Sequence, residues 1–345
     1  MPTKRGMFPS QIKGPITVLG FVAIIMHLTS ADARACASCG CTLSSDWDYQ
    51  QITYKPGLKI DLRYDYLDQN QLRSGNGTIS PSAASKIINN GNPQEVEKFT
   101  ENNYLTLGID YSNSRTWGVN VQVPYIFRRH STLGTASDGV TAGDGGGQYD
   151  SNTSNIGDIK VIGRYQGFSE ECNFGVLYGL KLPSGSHTQT GKSTDPTAPG
   201  PVSIDRGLQP GTGTTDAILG AFYTNTIGED WDYFTQAMYQ KALYYNNDYK
   251  PGDGLNVNVG VRYSGIRRVS PQLQLNFRHV EHDEGANADT ISTGGTLLYL
   301  SPGVSVSVIR QMSVYSFVQV PIYQYVNGVQ LAPRYTVSAG VRYSF

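Results

Sequence analysis

Hydrophobic and polar positions alternate strictly over much of this chain. The clearest case is the closing segment Arg334-Tyr-Thr-Val-Ser-Ala-Gly-Val-Arg-Tyr-Ser-Phe345. One face carries Tyr335, Val337, Ala339, Val341, Tyr343 and Phe345, and the other Arg334, Thr336, Ser338, Gly340, Arg342 and Ser344. A period of two sends these sets to opposite faces of a strand. The same pattern returns over residues 102–112, 116–128, 255–264 and 272–279. About twelve such segments follow one another from Leu58, each long enough to cross a bilayer as a tilted strand. Alternation is weaker over residues 214–245 and 292–325, where Phe222, Phe234 and Tyr315 interrupt it.

The connections sort by length. Short ones fall at residues 113–114, 169–171, 228–230, 267–270 and 310–312. Longer ones fall between them, at 71–99, 130–154, 184–213, 246–253, 283–291 and 326–333. Outer-membrane barrels have short periplasmic turns and long external loops. The expected fold is therefore all-β, a transmembrane antiparallel up-and-down β-barrel of about twelve strands over residues 58–345. An even count puts both termini in the periplasm.

Composition agrees. Charged residues make up 16% of the chain, below the quarter usual in soluble proteins, while Gly (39) and Tyr (23) are abundant. Mean hydropathy is only -0.33, far from that of a helical membrane protein. Lys4, Arg5 and Lys13 precede an apolar run over residues 16–28, and Ala33-Arg34-Ala35 offers small residues at the cleavage positions. This reads as a signal peptide over residues 1–35, cut before Cys36. The apolar run falls short of the roughly 20 residues a spanning helix needs. A Cys after the cut raises lipidation, but Ala33 stands where a lipobox has Leu. Removing four basic groups and one acidic group with the leader takes the formal net charge from -1 to -4. No basic excess remains to suggest nucleic acid.

Alternation assigns an inward basic set of Lys59, Arg63, Arg128, Lys160, Arg164, Lys181, Arg262, Arg278, Arg334 and Arg342. Facing it are Asp61, Asp65, Asp110, Asp158 and Asp216. Such groups either line a path that attracts anionic solutes or fill the barrel as a salt-bridge network. Cys36, Cys39, Cys41 and the remote Cys172 form a second group, in a segment 36–57 expected as a periplasmic tether or plug. Disulfides are the expected outcome in an oxidising compartment, with a thiolate metal site as the alternative. His279-Val-Glu-His282-Asp-Glu284 splits its ligands between two faces and reads as a solvated rim. Residues 143–147 and 191–213, rich in Gly, Ser, Thr and Pro, read as mobile external loop. An outer-membrane hydrolase would need a Ser beside a lipid-facing His, and the strand of His279 offers none.

Several phrases resemble one family. These are Val121-Gln-Val-Pro-Tyr125, Ile156-Gly-Asp-Ile-Lys160 with Arg164-Tyr165, and Lys181-Leu-Pro-Ser-Gly185. Further on come Leu208-Gln-Pro-Gly-Thr-Gly-Thr-Thr-Asp216 and Val318-Gln-Val-Pro-Ile-Tyr323. They resemble the outer-membrane transporter proteins associated with the MetA pathway of phenol degradation, from about Asn155 to the end and more weakly back to Leu58. The resemblance implies an uptake or efflux channel for small organic solutes, and Phe345 resembles the terminal signal read by barrel assembly machinery. The cysteine cluster is foreign to that pattern. The expected partners are outer-membrane lipid, the assembly machinery and small anionic or organic solutes, with no cofactor and no catalysis. A metal- or redox-linked barrel and a structural barrel without flux are the rival readings.

Overall fold

The computed structural model describes residues 56–89, 92–141 and 146–345. The expected leader and the cysteines at 36, 39 and 41 lie outside the described residues.

In chain order the elements begin with β1 (Gly57–Gly75), β2 (Gly77–Thr78), the short helix α1 (Pro81–Ala84), β3 (Ile88–Asn89) and β4 (Asn92–Pro93). Next come β5 (Glu97–Ser112), β6 (Trp117–Thr132), β7 (Tyr149–Ile156), β8 (Ile159–Tyr165) and β9 (Phe174–Leu182). After β10 (Thr190–Ser193), β11 (Pro201–Ser203) and a 3₁₀ turn (Arg206–Leu208) the chain re-enters the wall as β12 (Asp216–Ile227) and β13 (Trp231–Ala242). It finishes with β14 (Gly254–Tyr263), β15 (Val269–Val280), β16 (Gly295–Ser307) and β17 (Met312–Ser344).

These elements close a ring in the order β6, β5, β1, β17, β16, β15, β14, β13, β12, β9, β8 and back to β6, with antiparallel pairing throughout. Closure leaves no unpaired edge around the wall. The 33-residue β17 doubles back near Gly328, whose φ of +47° suits a residue without Cβ. Its first limb pairs with β16 and its second with β1. The limbs touch, since Ser316 Oγ donates to the Ser338 carbonyl at 3.0 Å and Gln324 Nε2 to that of Pro333 at 2.7 Å. At the barrel's end the Phe345 N–H donates to the Leu58 carbonyl at 2.9 Å, so first and last strands meet there.

The short connections gather at this end and the long ones at the other. The outward face between them is apolar, with Leu62, Leu105, Val119, Leu180, Leu275 and Val341 all exposed. Aromatic pairs mark the turn end: Trp117 on Tyr165 at 5.1 Å, Trp231 on Tyr263 at 5.0 Å, and Tyr343 on Phe345 at 4.8 Å. At the loop end Tyr125 lies 4.8 Å from Phe127 and Tyr66 6.4 Å from Tyr335. An exposed apolar band between aromatic girdles is what lipid contact requires.

Two irregularities shape the wall. Pro124 in β6 has no N–H to give, and opposite it the chain breaks at residues 157–158, dividing β7 from β8. In β17 the register steps from Asp68↔Tyr335 to Gln69↔Pro333, so Arg334 is an unpaired bulge residue.

Candidate functional site

Most charged residues expected inward are buried against the inner face, and they arrive in pairs. Arg342 donates to Asp61 at 3.0 Å, and the Tyr315 hydroxyl reaches the same carboxylate at 2.9 Å. Arg63 meets Asp65 at 2.7 Å, Arg164 meets Asp110 at 3.4 Å, and the half-buried Arg262 meets Asp232 at 3.0 Å. Arg128 and Arg278 are also buried, while Lys59 and Lys160 are half-buried on the same face as their period-two neighbours. A buried charge without such compensation costs several kcal/mol, about 3 or more.

Arg334 is the exception. Alternation from Thr336 sends it inward, but the bulge rotates it outward and it is exposed. It joins an external row with Asp68, Glu101 and Arg129, in which Arg129 meets Glu101 at 3.4 Å.

The most connected group sits at the loop end. Lys181 lies between Asp158 at 2.9 Å and Asp216 at 3.1 Å. Asp158 also accepts the Gly185 N–H at 3.1 Å and the Thr212 N–H at 3.0 Å, and Thr212 Oγ1 bonds both Asp158 and Lys181. Asp216 accepts from Thr214 Oγ1 at 2.7 Å and Gln240 Nε2 at 2.7 Å. Three phrases far apart in sequence therefore meet in one knot: 156–160, 181–185 and 208–216. Gly185 and Gly211 allow it, since a Cβ on Gly185 would lie 2.7 Å from the Gly211 Cα.

The knot clasps residues 204–213 inside the mouth, which corrects the reading of this stretch as mobile external loop. Leu208 is fully buried against Tyr149 and Ile204. Gln209 exchanges two hydrogen bonds with the Gln189 backbone, each 2.9 Å, and the Arg128 guanidinium donates to the Gly207 and Gln209 carbonyls. Arg206 lies 4.7 Å above the Tyr249 ring, and Tyr249 donates to Asp283 at 3.0 Å. Burial pushes the Asp283 carboxyl up to about 6. Glu95 is raised well above its ordinary range by burial, then by the charges of Asp205 and Glu97. Asp205 accepts from Tyr149 at 3.3 Å.

The interruptions at Phe222, Phe234 and Tyr315 have a physical reason, which Phe317 shares. Phe222, Phe234, Phe317 and Tyr315 face inward at the turn end, each over a glycine of the adjoining strand: Gly175, Gly260, Gly303 and Gly340. A Cβ on these glycines would stand 2.0–2.4 Å from the ring. The rings thus lie along the wall in gaps the glycines leave. In the next inward row of the same strands, Gln236, Asn258, Asn276 and Ser301 form a hydrogen-bonded ladder. The pairing of glycine with aromatic was present in the sequence, but only the register reveals it.

Cys172 is buried, with φ +54° and its Sγ 3.9 Å from the Glu170 carbonyl. It lies in the short connection at the turn end; its three expected partners are outside the described residues. His279 meets Glu281 at 3.3 Å, whereas Glu284 pairs with Lys250 at 2.9 Å and His282 lies 3.4 Å from Asn327, so the motif is divided. Among the described residues no group of three or more His, Cys, Asp or Glu is placed to hold a metal ion.

No family model matches the chain, and no curated protein does. Among solved structures it is similar to an outer membrane channel from Pseudomonas putida F1, at 13% identity and a TM-score of 0.60, covering 88% of this chain and 100% of that one. The β-barrel fold is shared. The β domain of the Bordetella autotransporter BrkA (14% identity, TM-score 0.45, covering 84% of this chain and 100% of that one) is more distant. So is the monoaromatic hydrocarbon channel CymD (11% identity, TM-score 0.45, covering 91% of this chain and 98% of that one). Neither likeness carries an argument about function.

Proposed function

We propose that this protein is an outer-membrane channel that passes small organic solutes, carboxylated ones included, with no catalytic step. Counted by limb, the two arms of β17 make the wall twelve-stranded, and both termini face the periplasm, where the short turns lie. The single observation that carries the reading is the clasped segment 204–213. It sits in the mouth as a separate element, fastened to the wall through Asp158, Lys181 and Arg128. Lipid contacts the apolar band, and the Tyr343 and Phe345 strand end is the handle for the assembly machinery.

A structural barrel without flux is the second reading, favoured by the dense inner ion pairs. Solute uptake into proteoliposomes separates the two. The channel reading expects entry of small solutes such as benzoate and benzyl alcohol but exclusion of a trisaccharide. Entry no faster than into protein-free vesicles would contradict it.

A further inference from the structure

Arg63, Arg164, Lys181, Arg262 and Arg342 each have a carboxylate within 4.0 Å. Arg128 differs. It is 3% exposed, and among the described residues its guanidinium meets neutral acceptors only. These are Asn102 Oδ1 at 2.5 Å, the Tyr104 hydroxyl at 3.1 Å, and the carbonyls of Gly207 at 3.2 Å and Gln209 at 3.4 Å. A buried cation held by neutral dipoles alone retains a strong preference for an anion.

The polar groups beside it are short of partners. Thr153 pairs with Arg128 across β6 and β7, and Ser151 pairs with His130 in the next inward row. Thr153 Oγ1, Ser151 Oγ and His130 Nε2 are buried, and none has a hydrogen-bond partner among the described residues. The Nδ1 of His130 lies 2.9 Å from Thr100 Oγ1. When Nδ1 accepts that hydroxyl, Nε2 carries the proton and is a donor. Two adjacent strands thus present a guanidinium, two hydroxyls and a ring N–H on one inner patch. Directly opposed side chains on such strands stand about 5 Å apart, which suits the two oxygens of one carboxylate.

We propose that Arg128, Thr153, Ser151 and His130 form a binding station for an organic carboxylate in the channel mouth. In this proposal, which rests on the channel reading, the Gly207 and Gln209 carbonyls hold the station until solute arrives. A full negative charge competes with two carbonyl dipoles for the same N–H groups. Asp205, two residues before Gly207, is tied to Tyr149 at 3.3 Å, and the Tyr149 ring lies 5.5 Å from that of His130. An anion on Arg128 repels Asp205, so occupancy loosens the clasped segment and couples binding to opening.

Calorimetric titration of the full chain in detergent with benzoate, benzyl alcohol and inorganic phosphate tests this, alongside bilayer current. Benzoate is expected to bind saturably and benzyl alcohol not at all. Arg128→Gln should weaken benzoate by about tenfold or more, and Thr153→Val by a few-fold. Heat-modifiable migration in gels reports folding. If Arg128→Gln does not fold, the combined Ser151→Ala and Thr153→Val variant decides in its place. Unchanged benzoate affinity in a folded variant overturns the station, as does phosphate binding more tightly than benzoate. Flux without benzoate binding would sink the station and leave the channel. Binding through Arg128 without flux would sink the channel and leave the station.

Discussion

Lys181 stands between Asp158 and Asp216, so Lys181→Met leaves two buried carboxylates facing each other. The expected cost is about 3 kcal/mol, the usual result of removing one partner from a buried ion pair. A lowered urea midpoint for loss of the compact gel form would show it, and an unchanged midpoint would contradict it. Arg342→Ala strands Asp61 in the same way. Arg334→Ala, in the exposed bulge, should change stability by no more than about 0.5 kcal/mol. Period-two reading treated these two arginines alike. The face changes at Arg334 because the bulge there adds one residue. The local signal for that bulge is Pro333, which has no N–H to give to the ladder. The inward aromatics have a related reason: Phe317 is intelligible only beside Gly303, fourteen positions earlier on another strand. A Gly303→Val side chain would occupy the gap that ring fills, so the ring must turn toward the lumen. Lower conductance and a stability loss of about 1–3 kcal/mol are expected. Unaltered conductance in a folded Gly303→Val barrel would show that the ring does not border the path.

At the scale of elements, the wall strands were legible because each needs only alternation and length. The mouth was not. Residues 191–213 have the composition of mobile loop, yet six of their backbone and side-chain groups are fastened by Asp158, Arg128 and Gln189. The resemblance phrases contained Asp158, Lys181 and Thr212, but only folding brings Gly185 against Gly211. Segment 204–213 and the loop of Asp283, joined through Arg206 and Tyr249, should respond to pH. Burial raises the carboxyls of Asp283, to about 6, and of Glu95. A carboxyl with a folded pKa above its unfolded value of about 3.9 binds its proton more tightly when folded. Its contribution is therefore full at low pH and is lost as pH rises, for Asp283 between about 4 and 6. Amide exchange of residues 204–213 and 281–294, corrected for intrinsic rates, should be slower at pH 5 than at pH 8. Equal protection at both would contradict the carboxyl argument.

The whole molecule combines an apolar exterior, an ion-paired interior and one mouth segment held by side chains from the wall. Its two faces were readable because lipid and water impose opposite demands on alternate residues of every strand. The proposed solute path is different in kind, since it depends on how inward groups distribute themselves once paired. The central claim is that the path exists and that the Asp158 knot governs it. Single-channel recording of the purified protein in a planar bilayer, compared with Asp158→Ala, tests this most directly. Discrete steps with anion preference are predicted, with longer openings once residues 204–213 lose their anchor. A barrel that is folded yet electrically silent, both as wild type and as Asp158→Ala, would contradict the account.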